Sequence, residues 1–592
     1  MKKPAFRKKS AQGAADDFAA AEAFETTEPA ETAEPAGTTQ PFEAGPGAAP
    51  AAPGRFAGRS GGTRTTQSLL AAAAVLAVVF GIAQVRPPAV PAKADQGGSA
   101  ATAQVERTAV VCPQPLQGLT GSTSLTAYTP PGTGGATGGA GWFSDAAAPA
   151  TPPTTAPSAP ASAAPAPTAA ATGSAAPGAG DKGGADKGGA PSDARLTLTK
   201  PGTPVTGPAA NGDAAPGGGA VATGALAPGF TVTQTTVVTE QRGLGLSGLT
   251  CTPAGTGFWF AGASTADNRV DYVSLVNPES SAAVVDIKLY GDKGLIENDA
   301  ANGLTVAAGS SQAILLSTIS KGAVGDLVVH VVVRSGRVGA ALHAADGNKG
   351  ADWVPASADP AATQVLPGLP ADTTAARLVV WAPPEDDADL KIQLSGKNGW
   401  FTPAGNESIH VKAGMVAAVD LGKVTREEVA GLRLSPSDDK HPTAVVAGLR
   451  VDRAGANGKS DAAWLTGSAP VGARATVADN RAGASTLFLT STGDAATVRV
   501  TASAGTGGGT PVSKDVQLPA GGTVAVPAPE PGGLNGSFAL TVETVSGGPV
   551  VAARMLSLPA KDVPMFTVQA LRDDHSTVKV PQAAQDPGVV LH

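Results

Sequence analysis

The sequence predicts an all-β exported region of three tandem immunoglobulin- or fibronectin-III-like β-sandwiches, each of about 105 residues, with one N-terminal transmembrane helix and disordered segments around it. Three observations predict this. An apolar strand, a strand–Ala-Gly–strand element and a late strand recur together. One uncharged run of seventeen residues stands near the N-terminus. Gly and Pro, 76 and 50 of 592 residues, are concentrated in stretches too poor in aliphatic side chains to fold.

The repeat is read from three markers. The first is VDYVSLVNP at Val270, AARLVVWAP at Ala375 and ASTLFLTST at Ala484. The second is LTVAAGSSQAILL, IHVKAGMVAAVDL and VQLPAGGTVAVPA, whose glycines Gly309, Gly414 and Gly521 lie 105 and 107 residues apart. The third is RVGAALHA, VVAGLRV and VVAARMLSL, in which Val338, Val445 and Val550 are 107 and 105 apart. Three markers at one period define a structural repeat. The glycine of each Ala-Gly turn implies a positive φ. Trp353, Trp464 and Phe566 end their repeats in similar contexts and are expected to be buried plugs at rigid joints between sandwiches.

The uncharged run is residues 69–85, bounded by Leu69 and Val85, and would span about 26 Å as a helix. Arg55, Arg59 and Arg64 precede it and only Arg86 follows closely, so the positive-inside rule puts the N-terminus in the cytoplasm and the C-terminus outside the cell. A signal peptide cleaved after Ala94 is the rival reading, disfavoured by the long segment before the apolar run. The tail carries eight basic and eight acidic residues. The expected organisation is a disordered cytoplasmic tail at 1–67, a membrane helix at 68–86 and a tether at 87–104. Next come the first strands of sandwich 1 at 105–130 and an Ala/Pro/Gly-rich disordered insert at 131–220. The rest of sandwich 1 lies at 221–365, sandwich 2 at 366–474 and sandwich 3 at 475–592.

Cys112 and Cys251 flank the insert. Outside the cytoplasm two lone cysteines pair, and this bridge would close a loop of 139 residues. Free or intermolecular thiols are the alternative. A net charge of −7 excludes a basic nucleic-acid binder.

Motifs for catalysis are missing. Ser247 in GLGLSGL lacks a nucleophile elbow, and no GxxxxGK[ST], HExxH or CxxC occurs. A two-residue hairpin turn at Ser335-Gly336 would pair Val329 with Leu342 and place His330 and His343 on one face. Two imidazoles without a third ligand do not make a zinc site. The acidic run of Glu385, Asp386, Asp387 and Asp389 lacks calcium-loop spacing and reads as a solvated loop. Trp400 and Phe401, after a Lys-Asn-Gly turn, are the candidate ligand surface; Trp259, beside Cys251, reads as core. No cofactor, metal or catalytic residue is expected.

CTPAGTGFWFAGAST, HVVVRSGRVGAALHAAD, GADWVPASADPAATQVLPGLP and VGARATVADNRAGASTLFL, with the VVCPQP stretch, resemble an actinobacterial, streptomycete-like exported family, domain of unknown function fifty-seven-nineteen. The resemblance runs from about Thr231 to the C-terminus. It implies a membrane-anchored or secreted protein without an assigned activity, and an association with envelope glycosyltransferases. It transfers no catalytic residue. The expected function is a non-enzymatic cell-envelope binding or scaffolding protein, with cell-wall polysaccharide or a membrane glycosyltransferase as partner and the lipid bilayer holding the anchor. An unrecognised or degenerate carbohydrate-active enzyme and a passive spacer are the alternatives.

Overall fold

A computed structural model describes residues 101–115, 121–132, 138–144, 196–212, 217–239, 244–347 and 349–580. The tail, the membrane run, the cleavage site and most of the insert lie outside the described residues. Among the described residues no helix is long and apolar enough to cross a membrane. The chain there is mostly antiparallel β-structure.

Residues 364–466 show the plan. Nine strands form two facing sheets. The first strand, Gln364–Leu369, pairs with the seventh, Ala430–Pro436, and the seventh with the third, Ala388–Gly396. In the opposite sheet the second strand, Thr373–Trp381, lies between the sixth, Val416–Asp420, and the eighth, Val446–Ala454, which pairs with the ninth, Ser460–Thr466. Alternating apolar residues of both sheets, such as Leu378, Val380, Ile392, Leu432 and Leu449, form the core between them. Residues 257–354 and 474–571 repeat this strand order, the latter with one added strand. The first and second strands sit in opposite sheets, unlike an immunoglobulin domain, whose first two strands share one.

The same order recurs a fourth time, which corrects the expected division into three. Arg107–Cys112, Gly218–Thr223, Ala140–Ser144 and Leu196–Leu198 form one sheet, and Ser122–Tyr128, Thr231–Val238 and Gly245–Thr250 build the other. Residues 105–130 and 221–250 therefore belong to a sandwich of their own and not to the one that follows. The insert is narrower than the expected 131–220, since Ala140–Ser144 and Leu196–Leu198 are paired strands. The long stretch between those strands breaks the period, which is why marker spacing found only three copies. The expected tether is also shorter: Ala101–Gln104 pairs with Thr577–Val580.

The hairpin expected at Ser335-Gly336 does not form. Leu327–Ser335 pairs with Gly257–Ala263 and Ala283–Gly291, whereas Gly339–Ala345 pairs with Tyr272–Asn277 and Ala351–Val354. The link crosses from one sheet to the other. The inward face was nevertheless read correctly, for Val329, Val331, Val338, Ala340 and Leu342 all enter the core. Alternation identifies the buried face and is silent on the neighbour. Each Ala-Gly turn is a similar crossing, with Gly309, Gly414 and Gly521 at φ 58°, 71° and 61°, the left-handed region a glycine enters without strain.

The four sandwiches close into a ring. Their last strands, Gly245–Thr250, Ala351–Val354, Ser460–Thr466 and Phe566–Leu571, contact one another in cyclic order, the fourth against the first. Each first strand also packs on the penultimate strand of the next sandwich, and the fourth sandwich does so on the first. Aromatic plugs hold the joints. Trp464 of the third sandwich is fully buried in the core of the second, and its Nε1 donates to Gly262 O at 3.2 Å. Arg269 and Arg450 lie over its ring at 5.4 and 5.6 Å. Phe566 of the fourth sandwich enters the core of the third. At the closing joint Leu246 meets Leu556, Val563 and Met565, and Tyr128 meets Ala478 and Ala539.

Asp461 lies fully buried at the axis. Its Oδ1 accepts from Ala462 N at 3.0 Å and its Oδ2 from Phe566 N at 2.8 Å. The amides of Leu246 and Ala351 bond to it as well. One carboxylate thus binds backbone of all four sandwiches. Burial raises its pKa well above the usual carboxylate range against the pull of these amides.

Trp464→Ala is expected to lower stability by roughly 3–5 kcal/mol, as large buried aromatics do on truncation; an unchanged denaturation midpoint would contradict the plug. Asp461→Ala should cost about 1–3 kcal/mol for each amide left without an acceptor. Its effect should appear in protease sensitivity at the joints of several sandwiches, and damage confined to the third would refute the axial role.

Candidate functional site

Because the last strand of every sandwich runs along the axis, the segments that follow them gather at one end of the ring. They enclose a cavity of about 850 Å³. Its wall takes Leu249 and Cys251 from the first sandwich, Val354 and Ser357 from the second, Ser468 from the third, and Gln569 and Arg572 from the fourth. The cavity extends between the first two sandwiches, where Val111 faces Ser274 and Gly339. Buried apolar clusters span the joints between sandwiches 2 and 3, 3 and 4, and 4 and 1; among the described residues none joins 1 and 2.

The bond between Cys112 and Cys251 sits beside this cleft. It ties the first strand of sandwich 1, in one sheet, to the end of its last strand, in the other. Both residues are buried.

The charged groups at the rim are held by the protein. Asp573 accepts from Ala473 N at 3.1 Å and from His575 N at 2.7 Å. Asp574 accepts from Arg474 Nε at 2.5 Å and from Ser576 N at 3.1 Å. Arg572 is open to the cavity on one side, yet enough protein surrounds it that burial lowers its pKa; it donates to Ala356 O. Among the neutral polar groups of the wall, Thr108, Gln364, Ser468 and Thr476 are hydrogen-bonded within the protein. Both amide atoms of Gln569 and the hydroxyls of Ser274 and Ser357 are buried without a hydrogen-bond partner.

The residues singled out in the sequence fall elsewhere. Trp400 is half-buried at the joint of the third and fourth sandwiches. The Arg433 guanidinium lies 4.3 Å over its ring, and a Cβ on Gly521 of the next sandwich would come within 2.5 Å of Cδ1. Phe401 beside it is 37% exposed, so the pair presents one open ring rather than two. Trp259, expected in a core, instead stacks on His330 at 3.6 Å and meets Trp381 at 4.5 Å, at the joint of the second and third sandwiches. Ser247 Oγ donates to Ala351 O at 3.1 Å, a structural bond. Asp387 accepts from Ala413 N and Asp389 bonds to His410, both exposed. His330 and His343 occupy opposite sheets, which removes the shared face expected of them. Sequence reasoning missed Gln569, Ser274 and Ser357, since a neutral polar residue in a strand carries no signal until the ring places it.

The architecture defines a class: a closed ring of four β-sandwiches around an axial cavity. Residues 206–529, more than half of the chain, match the profile described as a family of unknown function (DUF5719), and the chain belongs to that family. No curated protein and no solved structure matches it.

His343 is fully buried, 5.3 Å from the ring of Tyr272 and 5.1 Å from that of Trp353, and burial lowers its pKa from 6.5 to about 4. Between those values the unfolded chain binds a proton that the folded chain refuses, so this contribution to stability is lost as pH falls from 6.5 towards 4. His343→Gln should therefore flatten the loss of stability over that interval by up to about 3 kcal/mol, measured by denaturation at each pH. Parallel pH profiles for the two proteins would contradict it.

Proposed function

We propose that the chain is a non-enzymatic binding or scaffolding protein of the cell envelope, anchored by residues 69–85 with its C-terminus outside the cell. The observation that carries the reading is the axial cavity, to which all four sandwiches contribute. Sites at the meeting of several domains, mainly apolar with a few convergent polar groups, are characteristic of ligand binding. A buried disulfide suits an oxidising compartment outside the membrane. The partner is cell-wall polysaccharide or a membrane glycosyltransferase.

The enzyme alternative has less support. A glycosidase needs two free carboxyl groups about 5–9 Å apart, whereas Asp573 and Asp574 are engaged by backbone amides and by Arg474. A passive spacer would separate its ends; here the strands at residues 101–104 and 577–580 pair.

The full-length protein in detergent should co-sediment saturably with isolated sacculi, and Trp400→Ala should leave the affinity unchanged because its ring packs at a joint. Loss of binding in that variant would return the site to the Trp400 surface. No co-sedimentation would exclude the wall polymer and leave crosslinking in cells to identify a protein partner.

A further inference from the structure

We infer that the ring is latched by one proton at its axis, carried by Asp352, and that the joint between the first and second sandwiches loosens when that proton is lost. The inference concerns how the ring closes and does not depend on what its cavity binds.

Two carboxyl groups lie side by side at the axis. Asp461 takes the amide of Ala351, and Asp352 follows Ala351 in the chain. Both side chains are buried. Two carboxylates so placed do not both ionise. Their partners decide which one holds the proton. Asp461 accepts four backbone amides and uses both oxygens, so a proton on either would displace an acceptor. Asp352 accepts from Gly248 N at 3.0 Å and from Trp353 N at 2.8 Å, both on Oδ1. Its Oδ2 accepts no amide and has the neutral Thr567 hydroxyl beside it. The proton belongs on that oxygen.

Little positive charge compensates for an ionised Asp352. Of the strands packed against its own, Gly245–Thr250, Gly257–Ala263 and Phe566–Leu571 carry no titratable side chain. Ser460–Thr466 brings Asp461, and Gly339–Ala345 brings His343, which lies opposite Trp353. The buried Arg554 attracts Asp352 through space, but it donates to Ala478 O and is also attracted by Asp479, which is paired with Arg481. Burial, with the charge of Asp461 added, therefore holds Asp352 well above the usual carboxylate range.

The position of Asp352 couples this proton to one joint. Its bond to Gly248 N and the bond from Ser247 Oγ to Ala351 O cross from the second sandwich to the first. That joint has no shared apolar cluster among the described residues, and the cavity extends along it. Parting the two sandwiches there would wet Asp352, which then ionises as an ordinary carboxyl group. Above the ordinary carboxylate range the closed joint thus holds a proton that the open one releases. Closure is fully supported below that window and weakens as pH rises through it, opening increasing about tenfold for each pH unit.

The test is amide hydrogen exchange of the full-length protein in detergent, corrected for intrinsic rates, between about pH 5.5 and 8.5. Protection of Gly245–Thr250 and Ala351–Val354 should fall about tenfold per pH unit, while Val446–Ala454, in the core of the third sandwich, stays protected. Asp352→Asn, a neutral mimic of the protonated acid, should keep protection high and flat with pH. Asp461→Asn, which sets a donor against amides, should lose protection at every pH. Equal slopes in the wild type and Asp352→Asn, or a flat wild type, overturn the inference. The reverse ranking of the two variants moves the proton to Asp461 and overturns the assignment. Equal loss in Val446–Ala454 overturns the joint as the part that opens. Should Asp352→Asn not fold, infrared spectroscopy of the wild type decides: a protonated-carboxyl band should persist at about pH 7.5, where exposed carboxyls are ionised, and its absence overturns the latch.

Discussion

The ring depends on one buried carboxylate. Asp461 receives amides from its own sandwich and from the other three. An ionisable group is expensive to bury, and this one persists because its oxygens are occupied by N–H groups that would otherwise lack acceptors where four strands converge. No apolar side chain could serve those amides, and no backbone carbonyl could reach all of them. Nearby, Asp352 accepts from Gly248 of the first sandwich at 3.0 Å. The buried Arg554 donates to Ala478 O at 3.2 Å within the fourth. The axis is therefore polar and specified by direction, while the joints further out rest on apolar plugs.

That division explains where the cavity lies. Three joints are sealed by shared apolar clusters, and their strands are held close. At the joint of the first and second sandwiches the contact is of a different kind, exemplified by Val111 against Gly339, where a Cβ would collide with the valine side chain. Space is left beside it, and the Cys112–Cys251 bond fixes the wall of the first sandwich that borders that space. Rigidity is thus supplied covalently where packing is thinnest.

Much of this was legible in the sequence. The repeat, the inward face of each strand, the positive φ of the Ala-Gly glycines, the burial of Trp353 and Trp464 and the pairing of the two cysteines all follow from local pattern and spacing. What was not legible is long-range. Pattern says that Val331 and Leu342 point inward, and it cannot say that their strands lie in opposite sheets. Closure joins residues far apart, as where Ala478 N donates to Thr233 Oγ1 across 245 positions. Gln569 is one polar residue in a strand until closure brings it to the axis. An aromatic after a turn reads as an exposed interaction site, yet at Trp400 a neighbouring sandwich covers part of the ring.

The placement of the long insert has a consequence for how this chain can vary. It leaves after Ala140–Ser144 and returns at Leu196–Leu198, adjacent antiparallel strands in which Trp142 is opposite Leu196. Topologically it connects two adjacent strands of a β-hairpin. Loop-closure entropy rises only with the logarithm of length, about 0.6 kcal/mol for each doubling. Residues can be gained or lost there with little effect on the four sandwiches, so the length and composition of this segment can drift or be selected independently of the architecture that carries it.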